Sequence, residues 1–99
     1  MKKIPRVREI TLKDAITQLL RTYQLEDKLI EHRLIANWEV VVGTMISRHT
    51  KDIWIKDGKL FVKLDSATIR QELTYHRSKM LELLNESVGK NLITDIVLR

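Results

Sequence analysis

Hydrophobic and polar residues alternate with a period of two across residues 52–64, the signature of half-buried β-strands. Asp57-Gly58 interrupts the alternation near its middle. Glycine accepts a positive φ without a Cβ clash and aspartate tolerates one, so the pair predicts a type I′ turn and a hairpin. A two-residue turn fixes the register. Lys56 then faces Lys59, Ile55 faces Leu60, Trp54 faces Phe61 and Ile53 faces Val62. One face carries Ile53, Ile55, Leu60, Val62 and Leu64. The other carries Trp54 and Phe61, with Lys56, Lys59, Lys63, Asp52 and Asp65 around them. The aliphatic face demands a cover, whereas the aromatic and lysine face can stay wet.

Elsewhere the period is helical. Over residues 12–23, Leu12, Ala15, Ile16, Leu19, Leu20 and Tyr23 form an apolar stripe, with Thr11 as N-cap and Asp14 in the first turn, where the helix dipole favours it. Over residues 27–48, Ile30, Leu34, Trp38, Val41, Met45 and Ile46 keep the period across Gly43. A missing side chain there lets another backbone approach or lets the helix bend, and the β-branched run Val40-Val41-Val42 is a second weak point. Ser66 is the N-cap of a third helix whose stripe is Ile69, Leu73, Met80, Leu84 and Val88, with Gly89 as its left-handed terminator. Residues 93–98 read as a strand with Ile96 and Leu98 on the covered face. The predicted order is α-α-β-β-α-β: a two-layer α+β domain, its three-stranded mixed sheet covered on one face by helices. Residues 1–10 are basic and aperiodic and read as a mobile arm, leaving 11–99 as a single domain.

The chain has 99 residues, a formal net charge of +5 and no cysteine. Its length suits one domain with a modest core. Disulfides and thiolate metal sites are excluded, and the composition suits a reducing cytoplasm. No apolar run approaches the ~20 residues needed to span a bilayer, and the basic N-terminus lacks the apolar segment of a secretory signal. The positive charge permits an anionic partner without naming it. Catalytic signals are missing. His32, His49 and His76 fall on separate predicted elements, and no two histidines have the helical spacing of metal ligands. The three glycines are isolated, so no phosphate-cradling loop exists. The sequence therefore predicts a non-enzymatic binding protein without metal or cofactor.

Several short motifs then bear on identity. Trp38-Glu39-Val40-Val41-Val42-Gly43, His49-Thr50, Asp57-Gly58-Lys59-Leu60-Phe61-Val62, Asp65-Ser66, Gln71-Glu72-Leu73 and Leu84-Asn85-Glu86-Ser87-Val88-Gly89 occur in that order. Together, over residues 25–99, they resemble the DciA family. The resemblance implies a KH-like fold of type II. It also implies a role in DNA replication: binding the replicative helicase, promoting its loading on single-stranded DNA, and contacting DNA. Lys51 stands where a proline often follows the His-Thr pair, and Ile69 where an aromatic often precedes Gln-Glu-Leu. Both are fold positions, as are Trp38 and Gly43, which are expected to pack helix against sheet.

A KH domain that grips RNA in the usual way uses a Gly-x-x-Gly loop between two helices, and this chain has none. Nucleic acid would have to meet another surface. Trp54 and Phe61, ringed by Lys56, Lys59 and Lys63, are the leading candidates, because bases stack on aromatics and lysines neutralise phosphates. The plain alternative is a cross-strand pair that stabilises the hairpin by ~0.2–1 kcal/mol. Arg70, Arg77 and Lys79 on the third helix, with Arg48 and Lys51 near the exit of the second, form a second basic set. Gln71 and Glu72 are candidate partner-binding residues, unless Glu72 simply pairs with His76. Three functional readings follow: a DciA-like helicase-binding replication accessory, a general RNA- or DNA-binding KH-like module, and a scaffold that self-associates weakly into homo-oligomers.

Overall fold

The hairpin forms in the register that its turn dictates. In the computed structural model, which describes residues 4–23 and 25–99 and side chains from residue 11 onward, β1 (Thr50–Lys56) pairs antiparallel with β2 (Lys59–Leu64). Trp54 lies opposite Phe61 and Ile55 opposite Leu60. Asp57 and Gly58 have φ values of 51° and 74°, so both central residues of the turn take the left-handed conformation of a type I′ hairpin. Between Thr50 and Asp52 the register shifts by one, leaving Lys51 as the extra residue of a bulge. The third strand, β3 (Asp95–Leu98), runs parallel to β2, with Ile96 beside Leu60 and Val97 beside Phe61. The strand order is β1-β2-β3. Two contacts outside the strands lock β3 in place. The Thr94 N–H donates to the Gly58 carbonyl at 2.7 Å, and Arg99 continues the ladder by donating to Val62 at 2.9 Å and accepting from Leu64 at 2.8 Å.

Helices cover the aliphatic face. The core joins Leu60, Val62 and Leu64 of β2 and Ile96 of β3 to Leu34 of α2 (Leu25–Ala36), Trp38 of α3 (Trp38–Val42), Leu73 of α5 (Ala67–Tyr75), and Met80 and Leu84 of α6 (Arg77–Val88). Between α3 and β1 lies α4 (Thr44–Arg48). The Trp38 indole N–H donates to the Thr50 hydroxyl at 3.0 Å, which itself donates to the Ile46 carbonyl at 2.9 Å. This large buried ring therefore leaves no polar atom unpaired where the helices hand over to β1. Ser66 caps α5 as expected, accepting from the Ile69 N–H at 3.2 Å. Gly89 ends α6 with φ 70°, while Lys90 N–H reaches back to the Asn85 carbonyl at 3.2 Å. Asn85, in contrast to its helical neighbours, is a buried polar residue. Its amide donates to the Ile93 carbonyl at 2.9 Å and its oxygen accepts from the Leu92 and Ile93 N–H groups at 3.0 and 3.1 Å. One side chain thus satisfies the irregular backbone that leads into β3.

The structure departs from the periodic reading in three places. The helix expected over 27–48 is three helices, broken at Asn37 and at Gly43. Gly43 has φ 91° and ψ 165°, a region essentially restricted to glycine. The helix expected over 66–88 is two, broken at His76, whose φ of −106° and ψ of 12° leave the helical range. Helical spacing survives both breaks because the segments on either side still bury one face against the same sheet. The third departure concerns the first helix, α1, which runs over Ile4–Thr22 and so begins ahead of residue 12. Residues 4–10, read as part of a basic arm, are helical backbone continuous with it, and residues 1–3 lie outside the described residues. Nor does α1 cover the sheet. It packs on α2, and its stripe residues Leu12, Ile16 and Leu19 are exposed, as is Tyr23 in the turn that follows.

Three substitutions test this account by thermal and denaturant melts. Leu60→Asp places a charge where side-chain exposure is 0% and should unfold the domain. Lys59→Asp, on the opposite face, should leave the melt within ~0.5 kcal/mol of the parent. Gly43→Ala meets no steric neighbour within 4 Å, yet should cost ~1–3 kcal/mol from backbone conformation alone.

Candidate nucleic-acid interface

The outer face of the sheet is built by strand parity. Lys56, Trp54 and Asp52 alternate with the buried-face residues of β1, and Lys59, Phe61 and Lys63 sit opposite them on β2. β3 contributes Asp95 beside Lys59 and Val97 beside Phe61. Trp54 and Phe61 are stacked, with centroids 5.4 Å apart and planes 4° from parallel. The Arg99 guanidinium lies over the Phe61 ring at 5.2 Å, within cation–π range. Phe61 thus stands between Trp54 on one strand side and Arg99 on the other, and both of its faces are engaged. Trp54 stands on the edge strand β1, and Phe61 is its ring partner. Trp54, Phe61 and Val97 are half-buried and make an apolar band across all three strands. Lys56, Lys59 and Lys63 are exposed and make no ion pair among the described residues. Sequence reading found the hairpin members of this surface and missed Val97 and Arg99. The signal was present: if Ile96 and Leu98 face inward, residues 95, 97 and 99 face outward, and a parallel register lays them beside Lys59, Phe61 and Lys63.

The second basic set is differently placed. Arg70 on α5 is half-buried, and its guanidinium donates to the Leu64 carbonyl at 3.3 Å. Its Nε is buried without a protein partner. Arg77, at the start of α6, lies 3.8 Å from Asp95 and so borders the outer face near the hairpin tip. Gln71 and Glu72 are exposed on α5.

A polar clasp sits at the other end of the hairpin. The His49 ring and the Asp65 carboxylate are hydrogen-bonded at 2.7 Å, Lys51 Nζ reaches the second Asp65 oxygen at 3.2 Å, and the Asp65 N–H donates to the His49 carbonyl at 3.0 Å. Asp65, expected among the lysines of the outer face, is instead held here. The His49 hydrogen bond, followed by Lys51, draws the Asp65 carboxyl below its ordinary value. Lys51 occupies both the bulge and the clasp, which gives this departure from the family's proline a structural use. Among the described residues, no group of three or more His, Cys, Asp or Glu could hold a metal ion, and no helix is long and apolar enough to cross a membrane.

Helices, a hairpin, two further helices and a strand returning parallel to the central strand define a KH-like α+β domain, here with a basic and aromatic free sheet face. The family model described as "Dna[CI] antecedent, DciA" matches residues 11–98. The chain belongs to the DciA family, a replication-related family. It is also 39% identical over 61 residues to a UPF0232 protein of Corynebacterium glutamicum (strain R), a match that covers 62% of this chain and 34% of that protein. The matched region is thus about a third of the relative's length.

The clasp predicts a pH dependence. A carboxyl whose folded pKa is depressed stabilises the fold above its unfolded value and loses that contribution as pH falls through the folded value. The stability difference between the parent and Asp65→Asn should therefore be fully developed above the ordinary value of 3.8 and should shrink below it. Urea melts from neutral to strongly acidic pH measure this directly.

Proposed function

We propose that this chain is a replication accessory protein of the DciA type, acting in the cytoplasm, which binds the replicative helicase and single-stranded DNA and promotes loading of one on the other, with no chemistry of its own. Membership of the family over residues 11–98 carries the reading. The outer sheet face supplies a surface of suitable chemistry for the strand. A base stacks on Trp54, which is backed by Phe61 and Arg99, and base–aromatic stacking is worth ~1–3 kcal/mol. Lys56, Lys59 and Lys63, with Arg99, take the phosphates on either side. Arg70 is turned toward the Leu64 carbonyl and contributes less, whereas Arg77 can extend the basic rim if it releases Asp95. Gln71 and Glu72, exposed beside one another on α5, are the residues offered to the helicase.

Binding of a labelled oligonucleotide, followed by fluorescence anisotropy at several salt concentrations, separates stacking from charge. Trp54→Ala should weaken binding while leaving the salt slope nearly unchanged, since stacking is largely non-ionic. A triple Lys56→Ala, Lys59→Ala, Lys63→Ala variant should reduce the slope of log affinity against log salt by up to ~2, at ~0.7 for each single-strand phosphate that is no longer neutralised. Folded variants that bind like the parent at every salt would remove the outer face from consideration. Retention of the purified replicative helicase on the immobilised chain tests the other half. Failure of a Gln71→Ala, Glu72→Ala variant to retain it would place that contact on α5.

A further inference from the structure

Strand register lays the outer face of the sheet out in three rows. At the hairpin tip Lys56, Lys59 and Asp95 lie side by side on β1, β2 and β3. Trp54, Phe61 and Val97 form the middle row. At the far end stand Asp52, Lys63 and Arg99; backbone hydrogen bonds to Val62 and Leu64 set Arg99 beside Lys63, and its guanidinium lies over Phe61 on this face. The charges are not evenly mixed. Both acids occupy corners, diagonally opposed, and the two remaining corners, Lys56 and Arg99, are cationic. The acids are also turned away from the lysines beside them. Asp52 Oδ1 accepts from the Ile53 N–H at 2.9 Å and Asp95 Oδ1 from the Ile96 N–H at 2.8 Å. Residues bonded to β2 alternate along each strand with residues that are not. Lys56 flanks the turn and Arg99 bonds to β2, so Ile53 and Ile96, each three residues away, point their N–H groups away from β2 toward the margins of the sheet. Lys56 and Asp52 are about 13 Å apart along β1 at ~3.3 Å per residue. That exceeds the Debye length of ~8 Å at physiological salt, so the two ends of the strand do not cancel. Within each row, however, the acid moves the centre of positive charge to the opposite side. The centre lies on β1 and β2 at the tip and on β2 and β3 at the far end. The line between the two centres passes obliquely over Phe61.

We propose that single-stranded DNA crosses this face obliquely, from Lys56 and Lys59 at the tip to Lys63 and Arg99 at the far end, and that Asp52 and Asp95 fix this course by repelling phosphates from the other two corners. The course rests on the reading of the outer face as the surface the strand uses, and adds to it a direction and two positioning residues. A phosphate chain laid along β2 alone would meet only Lys59 and Lys63. One laid straight across the strands at either end would run onto an acid. The oblique course meets all four cations and avoids both acids. Its midpoint is the Trp54–Phe61 pair, with ring centroids 5.4 Å apart, so the bases between the two phosphate sites meet aromatic rings. Arg77, 3.8 Å from Asp95, shields that acid from outside the face and leaves the corner without a net cation on the course itself.

Anisotropy titrations of a labelled oligothymidylate against the intact chain, at several salt concentrations, test the course. An exchange variant, Lys56→Asp with Asp52→Lys, keeps the net charge of the face and moves the cation to the wrong corner. Both positions are exposed, so its melt should match the parent's. Its affinity should fall about tenfold or more, because a phosphate contact is replaced by a like charge, and its slope of log affinity against log salt should fall by ~0.7. Arg99→Ala, at the opposite end and on another strand, should lower the slope by a similar ~0.7. Asp52→Asn should leave the slope unchanged, since a residue off the course neutralises no phosphate. An exchange variant that binds like the parent would show that only total charge counts, and one that binds more tightly would lay the strand along the far row. Either result overturns the oblique course, as does an Arg99→Ala slope equal to the parent's. Weakened binding by Trp54→Ala in those cases would keep the outer face as the strand's surface. A Trp54→Ala variant that binds like the parent would remove the outer face and the course together.

Discussion

Everything in this domain depends on the parity of one hairpin. Side chains on a strand alternate with a period of two, so a slip of one residue between β1 and β2 would exchange the sheet's faces. Leu60 and Val62 would meet water, and Phe61 and two lysines would be driven under the helices. The left-handed conformations of Asp57 and Gly58 prevent that slip. The Gly58 carbonyl then accepts from Thr94, so the residue that sets the register of β1 on β2 also receives the start of β3. A local turn preference is converted into the arrangement of all three strands, and from it into the placement of every group on the free face.

The parts that were legible in the sequence are those governed by such local rules. The hairpin register, the Ser66 cap and the Gly89 terminator all follow from residue chemistry within a few positions of themselves. The helix breaks were harder to read. Period tells which face a residue lies on but not whether the axis continues. Gly43 is compatible with a bend and with a true interruption alike, and its φ of 91° decides for interruption. At His76 the cue was subtle: a polar residue on the apolar stripe, preceded by Thr74 and Tyr75, which favour helix weakly. Helix α1 exposes a different limit. Its stripe is as apolar as those that cover the sheet, and amphipathicity alone does not say whether the partner is the same chain.

The outer sheet face shows the same division. Trp54 and Phe61 could be paired from the turn alone, but Arg99 reaches Phe61 only through a parallel register set by a crossover of two helices. Asp65 looked like an outward acid next to Lys63. It is drawn aside by His49 and Lys51, one of which ends the helical segment while the other is the bulge residue. With Asp65 so occupied, Lys63 has no ion-pair partner among the described residues, and nor do Lys56 and Lys59, although Asp52 and Asp95 share their face.

The bulge at Lys51 has a further effect on how the molecule keeps to itself in a crowded solution. β1 is an edge strand, and its unpaired N–H and C=O groups could template addition of a foreign strand. The extra residue interrupts the regular spacing of those groups near the strand's beginning, and the local twist of a bulge turns the edge away from a flat approach. Exposed Lys51, Asp52 and Lys56 add a cost of desolvating charge to any chain that tries to zip along it. The helices cover the aliphatic face and leave the β1 edge unpaired. Here protection falls to the geometry and charge of its rim.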